Sequence, residues 1–272
     1  MEPDTTVIIA TYNQPQSLRK CLLGFLAQTE RAFETVVADD GSGPETAALL
    51  LSSEFAPLRV RHVWQKDLGW RKPRVLNLAL ANIETDYCIF IDGDCIPRAD
   101  FVEAHLFHRR PNCCLSSSKV NIALHVHAQL IDDDIRTRRA FDVHFLTSLD
   151  PMVWKYRYRL RRSRWNGVLN ILTHRYAMMN GSNASAWRKD ILKVNGFDET
   201  FGYGSDDREF GMRMSNAGVR ARWLKFSLIQ LYLGHRTTGN QEQARRNRQR
   251  FRKLFFTRKT WVPDGIEQTL DR

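Results

Sequence analysis

The chain is punctuated by short apolar runs that each end in polar residues, and no other feature restricts its fold as much. Residues 5–10 read TTVIIA and stop at Thr11-Tyr12-Asn13. Residues 33–43, FETVVADDGSG, repeat the pattern: a buried strand closes on two carboxylates and a glycine-rich turn. Residues 59–64 form a third run and residues 87–92, YCIFID, a fourth. The fourth is apolar almost throughout, as expected of a strand covered on both faces. Helical periodicity fills the gaps. Leu18, Leu22, Phe25 and Leu26 recur at three- and four-residue steps, a helix is predicted over 45–55, and another over 74–83. Strands alternating with helices predict an α/β fold with a Rossmann-like, mostly parallel sheet and helices on both faces. Ligands gather beyond the carboxyl ends of such strands. The polar groups lie there: Thr11 to Asn13, Asp39-Asp40, the segment after Trp64, and Asp92-Gly93-Asp94.

A length of 272 residues suits one α/β domain with an appendage, and 43% hydrophobic residues supply its core. No apolar run approaches the roughly 20 residues that span a bilayer. The opening MEPDTTVIIATYN lacks a basic region and a cleavage site, so no secretory leader is expected. Five cysteines are odd in number and lack zinc-ligand spacing, which predicts free thiols and a cytoplasmic location. The net charge of +11 predicts a polyanionic partner: nucleic acid, an anionic membrane or a phosphorylated substrate.

Asp92-Gly93-Asp94 closes the fourth strand. In extended backbone, residues i and i+2 share a face, so both carboxylates are expected to address one ligand. Gly93 lets the chain turn and a ligand approach. Paired hard carboxylates beside a diphosphate suit Mg²⁺ or Mn²⁺. Asp206 followed by Glu209 reads as a capping box that opens a helix.

These segments resemble a known family. VIIATYNQPQSLRKCLLGFLAQT, VVADDGS and IFIDGDCIPRADFVEAH are similar to the family 2 glycosyltransferases. NGSNASAW, VNGFDETFGYGSDDREFGMRM and GHR are similar to a galactosyltransferase-type C-terminal segment. The resemblance covers roughly residues 5 to 236 and implies a GT-A fold. It implies an inverting, metal-dependent transfer of a sugar from a nucleotide-diphosphate donor, a UDP-hexose or UDP-N-acetylhexosamine, to a hydroxyl of a glycan or lipid-linked acceptor. Synthesis of bacterial surface polysaccharide or lipopolysaccharide is the implied setting.

The same resemblance implies site roles. Asp40 would bind the base, with Thr11, Tyr12 and Asn13 lining that pocket. Arg71 and Lys72, with Asn77, would meet the diphosphate. Asp94 would bind the metal, with Asp92 beside it or near the ribose, and Gly93 between them. His235 would complete the ion's shell and favour Mn²⁺ over Mg²⁺. Asn183 would edge the donor sugar, and Tyr203 and Gly204 the acceptor. Asp207 aligns with the catalytic base, beside Asp206. Ala10 replaces a frequent hydroxyl residue, so the base is not fixed as uracil. Asp206-Asp207 replaces Glu-Asp, and Arg208 stands where a third acid can occur.

Residues 1–120 are expected to form the donor half of the domain, 121–236 the acceptor and catalytic half, and 237–272 a basic helical extension. Two basic stretches carry much of the charge. Residues 154–165 hold six basic residues and no acid, fitting strand or helix equally. Residues 241–259 place Ala244, Phe251, Leu254 and Phe255 on one stripe among arginines, the pattern of a membrane-surface helix. A peripheral position on the inner membrane is the corresponding expectation. The alternatives are a sugar-nucleotide-binding protein without catalysis and a basic nucleic-acid-binding protein. The latter leaves the strand-end carboxylates without a role and repelled by phosphate.

Overall fold

A computed structural model describes residues 3–173, 179–234 and 240–270. Its strands are β1 (Thr5–Thr11), β2 (Glu34–Asp39), β3 (Arg61–Trp64), β4 (Tyr87–Asp92), β5 (Cys95–Pro97), β6 (Cys113–Ser116), β7 (Val120–Ile122), β8 (Asn183–Trp187), β9 (Arg220–Trp223) and β10 (Gln230–Leu233). Among the described residues they form a seven-stranded sheet in the order β3-β2-β1-β4-β8-β6-β9 and a small sheet β5-β10-β7. The β3-β2-β1-β4 half is parallel throughout, whereas β8 runs antiparallel to both β4 and β6.

Alternation along the strands divides the core in two. Val7, Ile9, Tyr87, Ile89 and Ile91 face one cluster, which receives Leu18, Cys21, Leu22 and Phe25 from the helix Pro15–Leu26. Ile8, Ala10, Cys88 and Phe90 face the other, which receives Val75, Leu76, Ala79 and Leu80 from the helix Lys72–Ala81. Both faces are covered, and this is why β1 and β4 read as unbroken apolar runs. The register then dictates where function sits. Asp92 pairs with Ala10 and continues the Cys88–Phe90 side, so its carboxylate emerges toward the start of the helix Lys72–Ala81.

Several predicted boundaries shift. The helix over 45–55 is instead Pro44–Leu50 followed by a tighter turn Ser53–Leu58, opened by the Ser52 hydroxyl accepting from Glu54 N and containing Pro57, which has no N–H to continue an α-helix. The helix over 74–83 begins earlier, at Lys72, with Pro73 in its first turn. Between 124 and 172 the chain forms short helical pieces instead of the regular alternation, and Val126, Ile135, Leu146, Val153 and Leu160 pack them on the first core. Residues 154–165 are helical turns followed by a loop, not a strand. All five cysteines are buried and free of disulfides.

The capping box is absent. Ser205, in left-handed backbone (φ 68°), precedes the helix Asp206–Asn216, and Asp206 is its first residue. Glu209 turns inward. It accepts two hydrogen bonds from the Arg213 guanidinium, at 2.6 and 2.8 Å, in a fully buried pair. Arg213 also donates to the carbonyls of Val194 and Gly196. The helix Gln241–Thr257 likewise differs from a free membrane-surface helix. Its Asn247 and Phe251 are buried, Asn247 donating to the Tyr203 carbonyl and Gln243 accepting from Tyr203 N.

Breaking a buried ion pair from one side leaves an uncompensated charge. Glu209→Ala is therefore expected to cost about 3–5 kcal/mol, read as a lower urea midpoint at unchanged slope.

Candidate active site

The ends of β1, β2 and β4 open on a cavity of about 270 Å³. Thr11, Tyr12 and Gln14 line it after β1, Ala38 and Asp40 after β2, and Trp70, Lys72 and Val75 beside the helix start. Asp92, Gly93 and Asp94 form its floor, and Lys119, Tyr203 and Tyr232 close it from the second half of the chain. Of the residues singled out from sequence, Thr11, Tyr12, Asp40, Lys72, Asp92, Gly93, Asp94 and Tyr203 thus share one cavity.

Asp92 is bracketed by two ammonium groups. Lys72 Nζ donates to its Oδ1 and Lys119 Nζ stands 3.5 Å from its Oδ2. Burial pushes the Asp92 carboxyl up, but the two lysines outweigh burial and hold it below the usual range. Burial likewise pushes Lys72 down, and Asp92 with Asp206 more than reverses this. Asp94 reaches the cavity differently from the alternation argument: the strand ends at Asp92, and Gly93-Asp94 is a turn leading into β5. Gly93 N donates to the Ala10 carbonyl at 2.7 Å, and a side-chain carbon at Gly93 would meet Ala10 O and Thr11 Oγ1 at 3.2 Å.

Asp40 is buried, with Oδ2 accepting from Arg71 N at 2.8 Å and Oδ1 from the Gln65 amide. Burial raises its pKa despite these donors. The Tyr12 hydroxyl donates to Asp67 Oδ2 at 2.8 Å across the mouth. Trp70 meets Tyr203 edge-on, ring centroids 4.9 Å apart, so an aromatic corner stands at the rim.

The remaining candidates sit elsewhere. Asn13 joins two loops, its backbone N donating to Ser42 Oγ and its side chain accepting from Gly43 N. Asn77 is fully buried and clamps Phe197 and Glu199. Asn183, in β8, donates to the Leu228 carbonyl. The Arg71 side chain donates to the Lys66 carbonyl. Gly204 (φ 88°) lies against Ala244 of the C-terminal helix. His235 lies outside the described residues.

Asp206 and Asp207 open the helix Asp206–Asn216 beside this cavity. Asp207 accepts from Gly181 N at 3.1 Å and from Arg208 N at 2.8 Å. Asp206 lies near enough to Lys72 and Asp92 for their charges to act on it. Burial, then the Asp207 charge, push its carboxyl up to about 7, and Lys72 pulls only part of that back. Sequence reasoning missed Lys119, Tyr232 and Gln65. Lys119 Nζ stands 4.0 Å above the Tyr232 ring and carries the second charge on Asp92. No local pattern in SSSKV marks it, since its partner is 27 residues upstream.

Two family models match the chain. Residues 6–110 match glycosyl transferase family 2, and residues 168–236 match the N-terminal domain of galactosyltransferase. Over its first 110 residues the chain thus resembles glycosyltransferase family 2. Its second half carries the galactosyltransferase-type segment, which contains Asp206 and Asp207. It is 28% identical to validoxylamine A glucosyltransferase of Streptomyces hygroscopicus subsp. jinggangensis over 80% of this chain and 52% of that protein. It is 24% identical to chondroitin synthase of Escherichia coli over 80% of this chain and 33% of that protein. The chain thus spans about half or less of these relatives. The fold is that of GT-A glycosyltransferases. A Pyrobaculum calidifontis mannosyltransferase, solved with GDP-Man and Mn²⁺, superposes with a TM-score of 0.58 at 18% identity, over 88% of this chain and 59% of that one. S. aureus TarS superposes at 0.61 and 14% identity, over 99% and 42%.

The raised Asp206 pKa has a stability consequence with a definite sign. Between about pH 4 and 7 the folded carboxyl keeps a proton that the unfolded chain releases, so Asp206 weakens the fold progressively as pH rises through that window. Asp206→Asn is expected to raise the melting temperature at pH 8, with the gain vanishing below pH 4. A gain independent of pH would contradict the assigned environment.

Proposed function

We propose that this chain is an inverting glycosyltransferase of family 2. It transfers a hexosyl or N-acetylhexosaminyl group from a nucleotide-diphosphate donor, UDP-linked in the simplest case, to a hydroxyl of a glycan or lipid-linked acceptor. The observation that carries the reading is Asp92 held between Lys72 and Lys119 beside Asp94, facing the Asp206–Asp207 pair. Residues 1–120 act as the donor half, residues 121–236 as the acceptor half, and residues 237–272 as a helical brace beneath the Tyr203 loop. Bacterial surface-polysaccharide synthesis is the setting we favour, given relatives named as chondroitin synthase and hyaluronan synthase.

The donor set fits a divalent ion. Among the described residues no three His, Cys, Asp or Glu side chains converge on one point. Hard cations of the Mg²⁺ and Mn²⁺ class, however, are held by one or two carboxylates plus substrate phosphates. Ammonium groups hold both oxygens of Asp92, so we place Asp94 as the direct ligand, with His235 as the second and Mn²⁺ as the preferred ion. The bound ion would offset charge on the departing diphosphate.

The chain's own residues do the rest. Asp40 and the Thr11–Tyr12 corner hold the nucleoside. Asp92 faces the ribose, its charge balanced by two lysines whose remaining hydrogens point to diphosphate. The Trp70–Tyr203 corner offers aromatic faces to the sugars. Asp207 uses the lone pairs not given to Gly181 N and Arg208 N to take the acceptor proton. The hydroxyl oxygen then attacks the anomeric carbon as the carbon–phosphate-oxygen bond breaks. One displacement inverts that carbon.

Asp94→Ala is expected to abolish donor turnover and Mn²⁺-dependent nucleotide binding in calorimetry. Full activity in EDTA would falsify the metal assignment. Asp207→Asn is expected to keep near-wild-type donor affinity while kcat falls by about 10²-fold or more, as for a lost general base. Loss of donor binding in that variant would reassign Asp207 to the donor site.

A further inference from the structure

The helix Asn166–Leu172 is inside out. Its buried residues are two asparagines one turn apart. Asn166 donates to the Phe226 carbonyl at 2.8 Å, and Asn170 donates to Ser227 Oγ at 2.7 Å while accepting from Phe226 N at 2.8 Å. These bonds fix the rotation of the helix and turn its apolar side outward. Val168, Ile171 and Leu172 are 45%, 77% and 75% exposed, and Trp165, just before the helix, is 59% exposed. A surface helix ordinarily buries such residues, and a contiguous exposed apolar patch marks an interaction site.

The segment that leads into the patch is basic. Residues 151–173 contain no Asp or Glu. Arg159 is buried on the carbonyls of Ser118, Lys119 and Lys225, so it anchors the segment instead of facing out. Arg162 is partly neutralised by Glu103 at 3.3 Å and Asp100 at 3.9 Å. Arg161 and Arg164 remain exposed in the turn that leads into Trp165. Among the described residues no helix is long and apolar enough to cross a membrane.

We propose that this face docks on an anionic lipid surface. Ile171 and Leu172 enter the boundary between headgroups and acyl chains, Trp165 sits at the interface, and Arg161 and Arg164 meet lipid phosphates. A second copy of the chain fits less well, because a two-fold contact would set the same cations against each other. The C-terminal helix is Arg-rich too, but it turns Asn247 and Phe251 onto the domain.

The test is co-sedimentation of the full chain with phosphatidylcholine vesicles, with and without about one-third phosphatidylglycerol, at low and high salt. Binding is expected only with the anionic vesicles, and weaker at high salt. The Ile171→Ser, Leu172→Ser double variant changes solvent-facing positions and is expected to reduce partitioning at least about tenfold. Phe256→Ser in the C-terminal helix is expected to bind as wild type. If the double variant does not fold, Arg161→Gln with Arg164→Gln is expected to weaken binding several-fold. Wild type left in the supernatant with anionic vesicles, or a folded double variant that pellets like wild type, overturns the proposal. So does a dimer in light scattering that the double variant disperses, which would assign the face to a second copy.

Discussion

A carboxylate at the end of the central strand, held between two ammonium groups, is the interaction on which the site depends. Asp92 leaves β4 where the sheet gives way to the cavity, and a buried anion there must be compensated. Lys72 comes from the first turn of the helix behind the sheet and Lys119 from just before β7. One side chain therefore ties the parallel half of the sheet, the helix covering it and the small second sheet to a single point. With both lysines charged, the cluster is balanced for a ligand that brings phosphate and a cation together.

Much of this was legible in the sequence, and the reason is the double-sided burial of the sheet. YCIFID over 87–92 is the observed β4 residue for residue, because each of its side chains down to Ile91 must enter one of two apolar cores. The strand-end positions of Thr11, Asp40 and Asp92 follow from the same pattern. What stayed hidden was set by partners far away in the chain. Lys119 and Tyr232 come to the cavity through the β5-β10-β7 sheet, whose three- and four-residue strands leave no periodic trace. Glu209 has the spacing of a cap but serves a buried arginine four residues on, and local spacing does not distinguish these uses. Asn13 and Asn77 use their amides to hold loops together, and Asn183 donates to the Leu228 carbonyl, contacts that local sequence does not reveal.

The acids of the site divide by environment. Asp92 is held ionised by its lysines, while Asp206, buried beside Asp207, has its carboxyl pushed up to about 7. Carboxylates whose surroundings drive their proton affinities apart cluster at functional sites. The helix Asp206–Asn216 presents this pair rigidly because the buried Glu209–Arg213 bonds pin its first turn to the carbonyls of Val194 and Gly196.

The central claim is that the Lys72–Asp92–Lys119 cluster with Asp94 is a seat for a diphosphate and its ion. Comparing UDP with UMP by equilibrium binding, in Mn²⁺ and then in EDTA, addresses it directly. The expected result is UDP binding at least about tenfold tighter than UMP in Mn²⁺, with most of that difference lost in EDTA, since the second phosphate and the ion are held together. Equal affinity for UDP and UMP, unchanged by removing the metal, would contradict it.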